Sequence, residues 1–256
     1  MTSMLLLCTA VFLLHLSETC AEIPVPEAPA GFTIGRGSAS AEVQLEAFID
    51  PLCPFSKAAY NGVKALADHY EPSDVRVKMV VFPLPFRQHG FAAAQSAFAV
   101  TSALGDGFFA PWLEALYEHQ ERFWDPATKD ASATQVRSQL YDVAKKTFPS
   151  LTDKQWEEGM TTNGTAEARR RTRVTWKYAC TRTVTGTPQY ILNGVPFAEA
   201  DSSWKLNDWL NVIEPLVQAN RAWTVSTSAW SGRAAVDEIA THAVSNVTQV
   251  LAVRSS

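Results

Sequence analysis

The pattern of apolar and polar positions changes period sharply near residue 50. Val43-Gln44-Leu45-Glu46-Ala47-Phe48-Ile49 is β-forming and almost continuously apolar, as in a strand buried on both faces. From Ser56 to Tyr70 the period becomes helical, with Ala59, Val63, Leu66 and Ala67 on one side. Val75 to Phe82 predicts a second strand, parallel to the first if the helix between them is a right-handed crossover. His89 to about Cys180 is helical in period, punctuated by Gly105, Pro126, Pro149 and Gly164. Its aromatic stripes, Phe91-Ala94-Phe98-Thr101 and Phe109-Trp112-Leu116-Phe123, read as core, as do Trp124 and Trp156. After Pro188, Tyr190–Leu192 and Val195–Phe197 flank an Asn-Gly turn and predict a hairpin. Trp204 to Val217 then predicts a closing helix with Leu206, Trp209, Leu210 and Ile213 inward.

The change of period frames Asp50-Pro51-Leu52-Cys53-Pro54-Phe55-Ser56. Cys53 falls at the first turn of the helix, and Pro54 stands where a missing backbone N–H costs nothing. Unpaired N–H groups and the positive end of the helix dipole favour thiolate over thiol there, which makes Cys53 a candidate nucleophile. The competing reading is a small buried hydrophobe at a helix start.

The downstream stretch Val184-Thr185-Gly186-Thr187-Pro188-Gln189-Tyr190-Ile191-Leu192-Asn193-Gly194 places a proline at the mouth of a strand. Together with the cysteine segment it resembles the thioredoxin superfamily, and within it the DsbA-like branch. Residues 83 to 94, Pro-Leu-Pro-Phe-Arg-Gln-His-Gly-Phe-Ala-Ala-Ala, look like the link by which that branch leaves its second strand for a helical insertion. The resemblance extends over residues 42 to 218. It implies an α/β thioredoxin fold (βαβ, helical insertion, ββα) in which Pro188 is cis, faces Cys53, and lets Thr187 pair its backbone with a substrate peptide. The same surface would include Pro54 and Phe55.

Two departures from that family stand in the sequence. Ser56 takes the place of a second cysteine three residues on, so a disulfide-oxidation cycle within the motif is excluded. Ala47 stands six positions before Cys53, where the family often buries an acid; Glu46 is adjacent, and strand alternation turns it to the opposite face.

Residues 1–21 read as a secretory signal: Met4 to Leu16 is an apolar core too short to span a bilayer, and Thr19-Cys20-Ala21 offers small residues for cleavage. No Lys or Arg precedes Arg36, which leaves an uncleaved anchor as the rival reading. The expected localisation is secreted or the lumen of the secretory pathway. Residues 22–40 form a Pro/Gly-rich lead-in, 41–88 and 181–219 the thioredoxin-like domain, 89–180 the helical insertion, and 220–256 a C-terminal extension with a helical stripe at Val236, Ile239, Ala243, Val247 and Val250. That extension is too polar for a membrane span. Asn163 and Asn246 begin glycan acceptor sequons.

A net charge of −4 gives no reason to expect a nucleic-acid partner. Four cysteines become two, Cys53 and Cys180, if the signal leaves with Cys8 and Cys20. No Cys-x-x-Cys or His cluster suggests a metal, and no cofactor is expected. His89 reads as a capping or core-edge residue, and the run Arg169-Arg170-Arg171-Thr172-Arg173 as a solvated helix face.

Three chemistries remain open. Cys53 could act as a monothiol, with Ser56 donating a hydrogen bond to its thiolate, forming mixed disulfides with glutathione or protein thiols. Cys180 could resolve those disulfides or pair with Cys53. A glutathione transferase-like enzyme is the third, since some share the DsbA-like architecture. A non-catalytic peptide-binding module, with Cys53 free or structural, competes with all of them.

Overall fold

The computed structural model describes residues 24–231, with side chains to residue 223, and divides into two compact units. The first comprises the chain up to residue 32, 48–57 and 79–189; the second comprises 33–47, 58–78 and the chain from 190 onward. The proposed signal, the stripe from Val236 to Val250 and Asn246 lie outside the described residues.

The second unit carries the body of a five-stranded sheet. The strands are β1 (Phe32–Ile34), β2 (Val43–Ile49), β3 (Val75–Val81), β4 (Gln189–Leu192) and β5 (Val195–Phe197), in spatial order β1-β3-β2-β4-β5. Helix α1 (Pro54–His69) joins β2 to β3. Val43 N donates to Asp74 O at the start of the two strands and Phe82 N to Ile49 O at their end, so β2 and β3 run parallel. β4 and β5 are antiparallel, with Leu192 opposite Val195, and Asn193 and Gly194 at φ 47° and 83° form the turn that an Asn-Gly pair favours. Asn193 Oδ1 accepts from Gln44 N at 2.7 Å, which fixes that turn against the start of β2.

Sequence pattern missed β1. The segment read as a lead-in of low order contains a three-residue edge strand, too short to show an alternation by itself. Phe32 at its head is buried and stacks on Phe109, with ring centroids 4.1 Å apart. The closing helix also differs. Helix α8 runs from Leu206 to Ser231, past the Val217 that the apolar stripe suggested. Arg221 donates to Asp74 Oδ2 at 2.6 Å, an ion-pair anchor that a hydrophobic period cannot reveal. Trp209, fully buried, carries the inward face of α8, in ring contact with Tyr190, Phe197 and Trp204.

Gly62 in α1 faces the backbone at Trp204. Alanine normally improves a helix interior over glycine by about 0.5–1 kcal/mol. Here a Cβ would run into the Trp204 carbonyl oxygen, a backbone atom. Gly62→Ala is expected to destabilise by about 1–3 kcal/mol, read as a lowered urea midpoint; an unchanged or raised midpoint would contradict the close approach.

The first unit is built mainly from helices α2 (Gly90–Leu104), α3 (Phe109–His119), α4 (Asp125–Thr128), α5 (Ala133–Thr147), α6 (Asp153–Met160) and α7 (Glu167–Thr181). Capping boxes at Ser132/Gln135 and Thr152/Gln155 start α5 and α6. Phe109, Trp112, Leu116 and Phe123 are buried as their spacing predicts, and Trp156 with them. The arginine run is less solvated than its sequence suggests. Arg169 lies over Phe91 at 5.0 Å, Arg171 over Phe98 at 5.1 Å, and Arg170 pairs with Glu27 and Glu167, so only part of the run faces water. No helix among the described residues is long and apolar enough to cross a membrane.

Candidate functional site

The site lies where β2 ends and α1 begins, and all its residues belong to the first unit. Lys57 N donates to Cys53 O at 3.1 Å, the first intrahelical bond, so Cys53 occupies the position that caps α1. Pro54 is the first helical residue, as its ring and missing N–H favour. Cys53 is a free thiol, only 2% exposed, and its Sγ donates to the carbonyl oxygen of Thr187 at 3.3 Å. The Thr187-Pro188 peptide bond is cis. The two stretches that sequence analysis singled out are thus in direct contact. Phe55, next along, is 62% exposed, an apolar ring presented beside a buried sulfur, while Pro54 is half-buried. Among the described residues the Thr187 hydroxyl Oγ1 is buried with no hydrogen-bond partner.

Ser56 has a second use that its spacing does not suggest. Its side chain is fully buried, and Oγ accepts from the backbone N–H of Asp50 at 3.2 Å, so the hydroxyl braces the turn ahead of the cysteine. Cys180 is also a free thiol and is exposed near the end of α7; the structure holds neither cysteine in a disulfide. Partial desolvation beside the helix pushes the Cys180 thiol up, although the residue as a whole is exposed. Asn163 is exposed in the loop between α6 and α7.

Three residues of the site escaped sequence reasoning. Asp50 is fully buried, and its carboxylate accepts from Leu52 N at 2.7 Å and Leu84 N at 2.8 Å, pinning the turn to the segment after β3. Gln120 Nε2 donates to Pro51 O at 3.2 Å and Cys53 O at 3.4 Å, and Trp124 Nε1 donates to Leu52 O at 2.9 Å. The helical block therefore holds the carbonyls of residues 51 to 53 from one side while Asp50 holds N–H groups from the other. Trp124 is half-buried and serves as a donor here, beyond the core role its spacing suggests. An Asx turn was readable in Asp50-Pro51, since Asp commonly bonds the backbone two residues on. Nothing local marks Gln120 or Trp124, 67 and 72 residues from their partners.

His89 precedes α2 without capping it through its side chain. It is buried, Nε2 has no hydrogen-bond partner among the described residues, and burial lowers its basicity against the pull of Asp125. Glu46 is largely buried and pairs with Lys78 at 2.9 Å within the second unit.

Burial pushes the Asp50 carboxyl above the ordinary carboxylate range, against the opposing pull of the Leu84 and Leu52 N–H groups and of Arg87. A carboxyl raised on folding contributes most below its unfolded value, and that contribution falls away as pH rises through the folded value. Asp50→Asn keeps one acceptor and loses the other, stranding a buried backbone N–H at a cost of about 1–3 kcal/mol. The stability advantage of wild type over Asp50→Asn is expected to narrow as pH rises, in urea titrations from about pH 3 to about pH 8. An advantage that widens with pH would contradict this environment for Asp50.

Comparison with known proteins agrees with this geometry. A thioredoxin family model matches residues 30–212. No curated protein sequence matches the chain. The fold is similar to that of a candidate protein-disulfide isomerase from Pseudomonas syringae, at 18% identity and a TM-score of 0.60, with 72% of this chain and 97% of that one covered. A cysteine-to-alanine variant of α-DsbA1 from Wolbachia pipientis is similar at 13% identity and TM-score 0.57, covering 79% and 96%. The thiol-disulfide exchange protein α-DsbA2 from Wolbachia pipientis follows at 18% and 0.54, covering 73% and 87%. With a βαβ…ββα order interrupted by helices, a cysteine capping the first long helix and a cis proline against it, the chain belongs to the thioredoxin family, with the DsbA-like form of the fold.

Proposed function

We propose that the protein is a thiol-disulfide exchange protein working as a monothiol through Cys53. The observation that carries this reading is the contact of Cys53 Sγ with the carbonyl of Thr187 at the cis Thr187-Pro188 bond. In the proposed step the Cys53 thiolate attacks one sulfur of a disulfide, a Cys53–S–S–R bond forms, and the other half leaves as a thiolate. An outside thiol, glutathione or a protein cysteine, then attacks the mixed disulfide and regenerates Cys53. No cofactor is required. Thr187 and Pro188 would position an extended peptide, with Phe55 as an apolar contact beside it. The apolar segment Met4 to Leu16 favours work in an oxidising compartment, outside the cell or in the secretory lumen.

The burial of Cys53 favours a second reading, a module that binds peptides at Thr187-Pro188 without exchanging thiols. A transferase is the less favoured, because the Ser56 hydroxyl is enclosed and engaged with Asp50 N, away from any incoming thiol. The monothiol and module readings part on one experiment. Cys180→Ser protein incubated with oxidised glutathione is expected to gain the mass of one glutathione at Cys53, lost again on reduction. If the mass is unchanged while an unrelated extended peptide still binds, the module reading replaces the monothiol.

A further inference from the structure

Within the first unit, the loop after β3, the start of α2 and residues 173–177 of α7 line an open cleft of about 440 Å³, within the range of small-ligand sites and without Cys53 or Thr187 in its wall. Its apolar surface comes from Leu84, Phe91 and Trp176, and its polar surface carries Arg87, Arg173 and Lys177 with no carboxylate among the lining residues. Trp176 is 37% exposed and lies parallel to Phe82, with an interplanar angle of 1° and centroids 6.2 Å apart, so one flat aromatic surface is already fixed in place. Arg87 Nε is buried with no hydrogen-bond partner, and Arg173 forms no ion pair among the described residues. A buried donor left without an acceptor is costly, and cations beside an apolar, aromatic wall suit a ligand with a flat apolar body and an anionic end.

We propose that this cavity is a binding site for a small aromatic carboxylate, its ring against Trp176 and its carboxylate held by Arg87 and Arg173. The site is separate from the thiol chemistry and does not rest on it. The geometry requires both halves of the ligand: without the ring nothing covers the face of Trp176, and without the charge the guanidinium donors of Arg87 and Arg173 stay unanswered.

Isothermal titration of the full chain with naphthoate, in wild-type and Cys53→Ser protein alike, tests it. Saturable binding at one site is expected in both proteins. Naphthalene methanol, the neutral counterpart, and acetate, the ring-less one, should each bind at least tenfold more weakly. Arg173→Gln, at an exposed position outside the loop that holds Asp50, should weaken naphthoate by about tenfold with the thermal midpoint little changed, and Trp176→Ala, which also removes the stack on Phe82, should weaken it by about tenfold in protein that still unfolds cooperatively. Absence of saturable binding, equal binding of the neutral compound, or indifference to both substitutions would overturn the assignment. Failure of Cys53 to exchange disulfides would leave it standing.

Discussion

Ser56→Cys is expected to turn a monothiol into a dithiol with catalytic turnover. Ser56 lies three residues after Cys53, one helical turn on, where side chains of a helix meet at about 5–6 Å between Cβ atoms. The Cα atoms at this spacing lie about 5 Å apart in helical geometry, inside the range a disulfide spans once the two side chains turn towards each other. A mixed disulfide on Cys53 must otherwise wait for an outside thiol, whereas a second thiol on the same turn attacks at an effective concentration in the millimolar range or above. Reduction of a peptide disulfide with a recycling reductant should therefore rise at least about tenfold over wild type. The substitution has a structural cost, because Ser56 Oγ accepts from Asp50 N at 3.2 Å and sulfur is the weaker acceptor. A loss of about 1 kcal/mol is expected from that exchange. A Ser56→Cys protein that folds and turns over no faster than wild type would mean that the turn does not present its thiols to substrate.

Cys53→Ser is expected to remove all mixed-disulfide trapping while leaving the fold in place. A hydroxyl cannot form the sulfur-sulfur bond, so the signal should fall to background. The same hydroxyl can still donate to the Thr187 carbonyl that Cys53 Sγ now contacts, so the pairing of the α1 cap with the cis-proline loop has a substitute. Thermal midpoints of variant and wild type should agree closely. Cys180→Ser, at an exposed thiol, should leave trapping intact. If Cys53→Ser retains trapping and Cys180→Ser loses it, the reactive group has been misassigned.

The parts of this site legible in the sequence are those that local chemistry marks. Cys53 and Pro54 announce a helix start because a proline suits the first helical position and the apolar period changes there. Thr187-Pro188 before a β-forming run and an Asn-Gly turn gives the opposing loop, and the two meet as the resemblance implies. What holds them is invisible locally. Gln120 and Trp124 reach back from the helical block to carbonyls that any sequence would present, and Leu84 N meets Asp50 only because the segment after β3 passes that turn. The bracing use of Ser56 is hidden for a related reason: its spacing points to the sulfur, while its burial and the Asp50 N–H that its oxygen accepts from exist only in the fold. β1 escaped because three residues carry no period, and the later part of α8 because its anchor, the ion pair of Arg221 with Asp74, carries no apolar period.

The most direct measurement places the cysteines of the wild-type chain in competition. The protein is mixed at neutral pH with an equimolar amount of an extended peptide carrying a mixed disulfide, quenched with acid, and every cysteine-containing fragment is quantified by mass spectrometry. The predicted result is a peptide adduct on Cys53 in preference to the exposed Cys180, because Thr187 and Pro188 deliver the peptide to the buried sulfur. An adduct confined to Cys180, with Cys53 unmodified, would contradict the account.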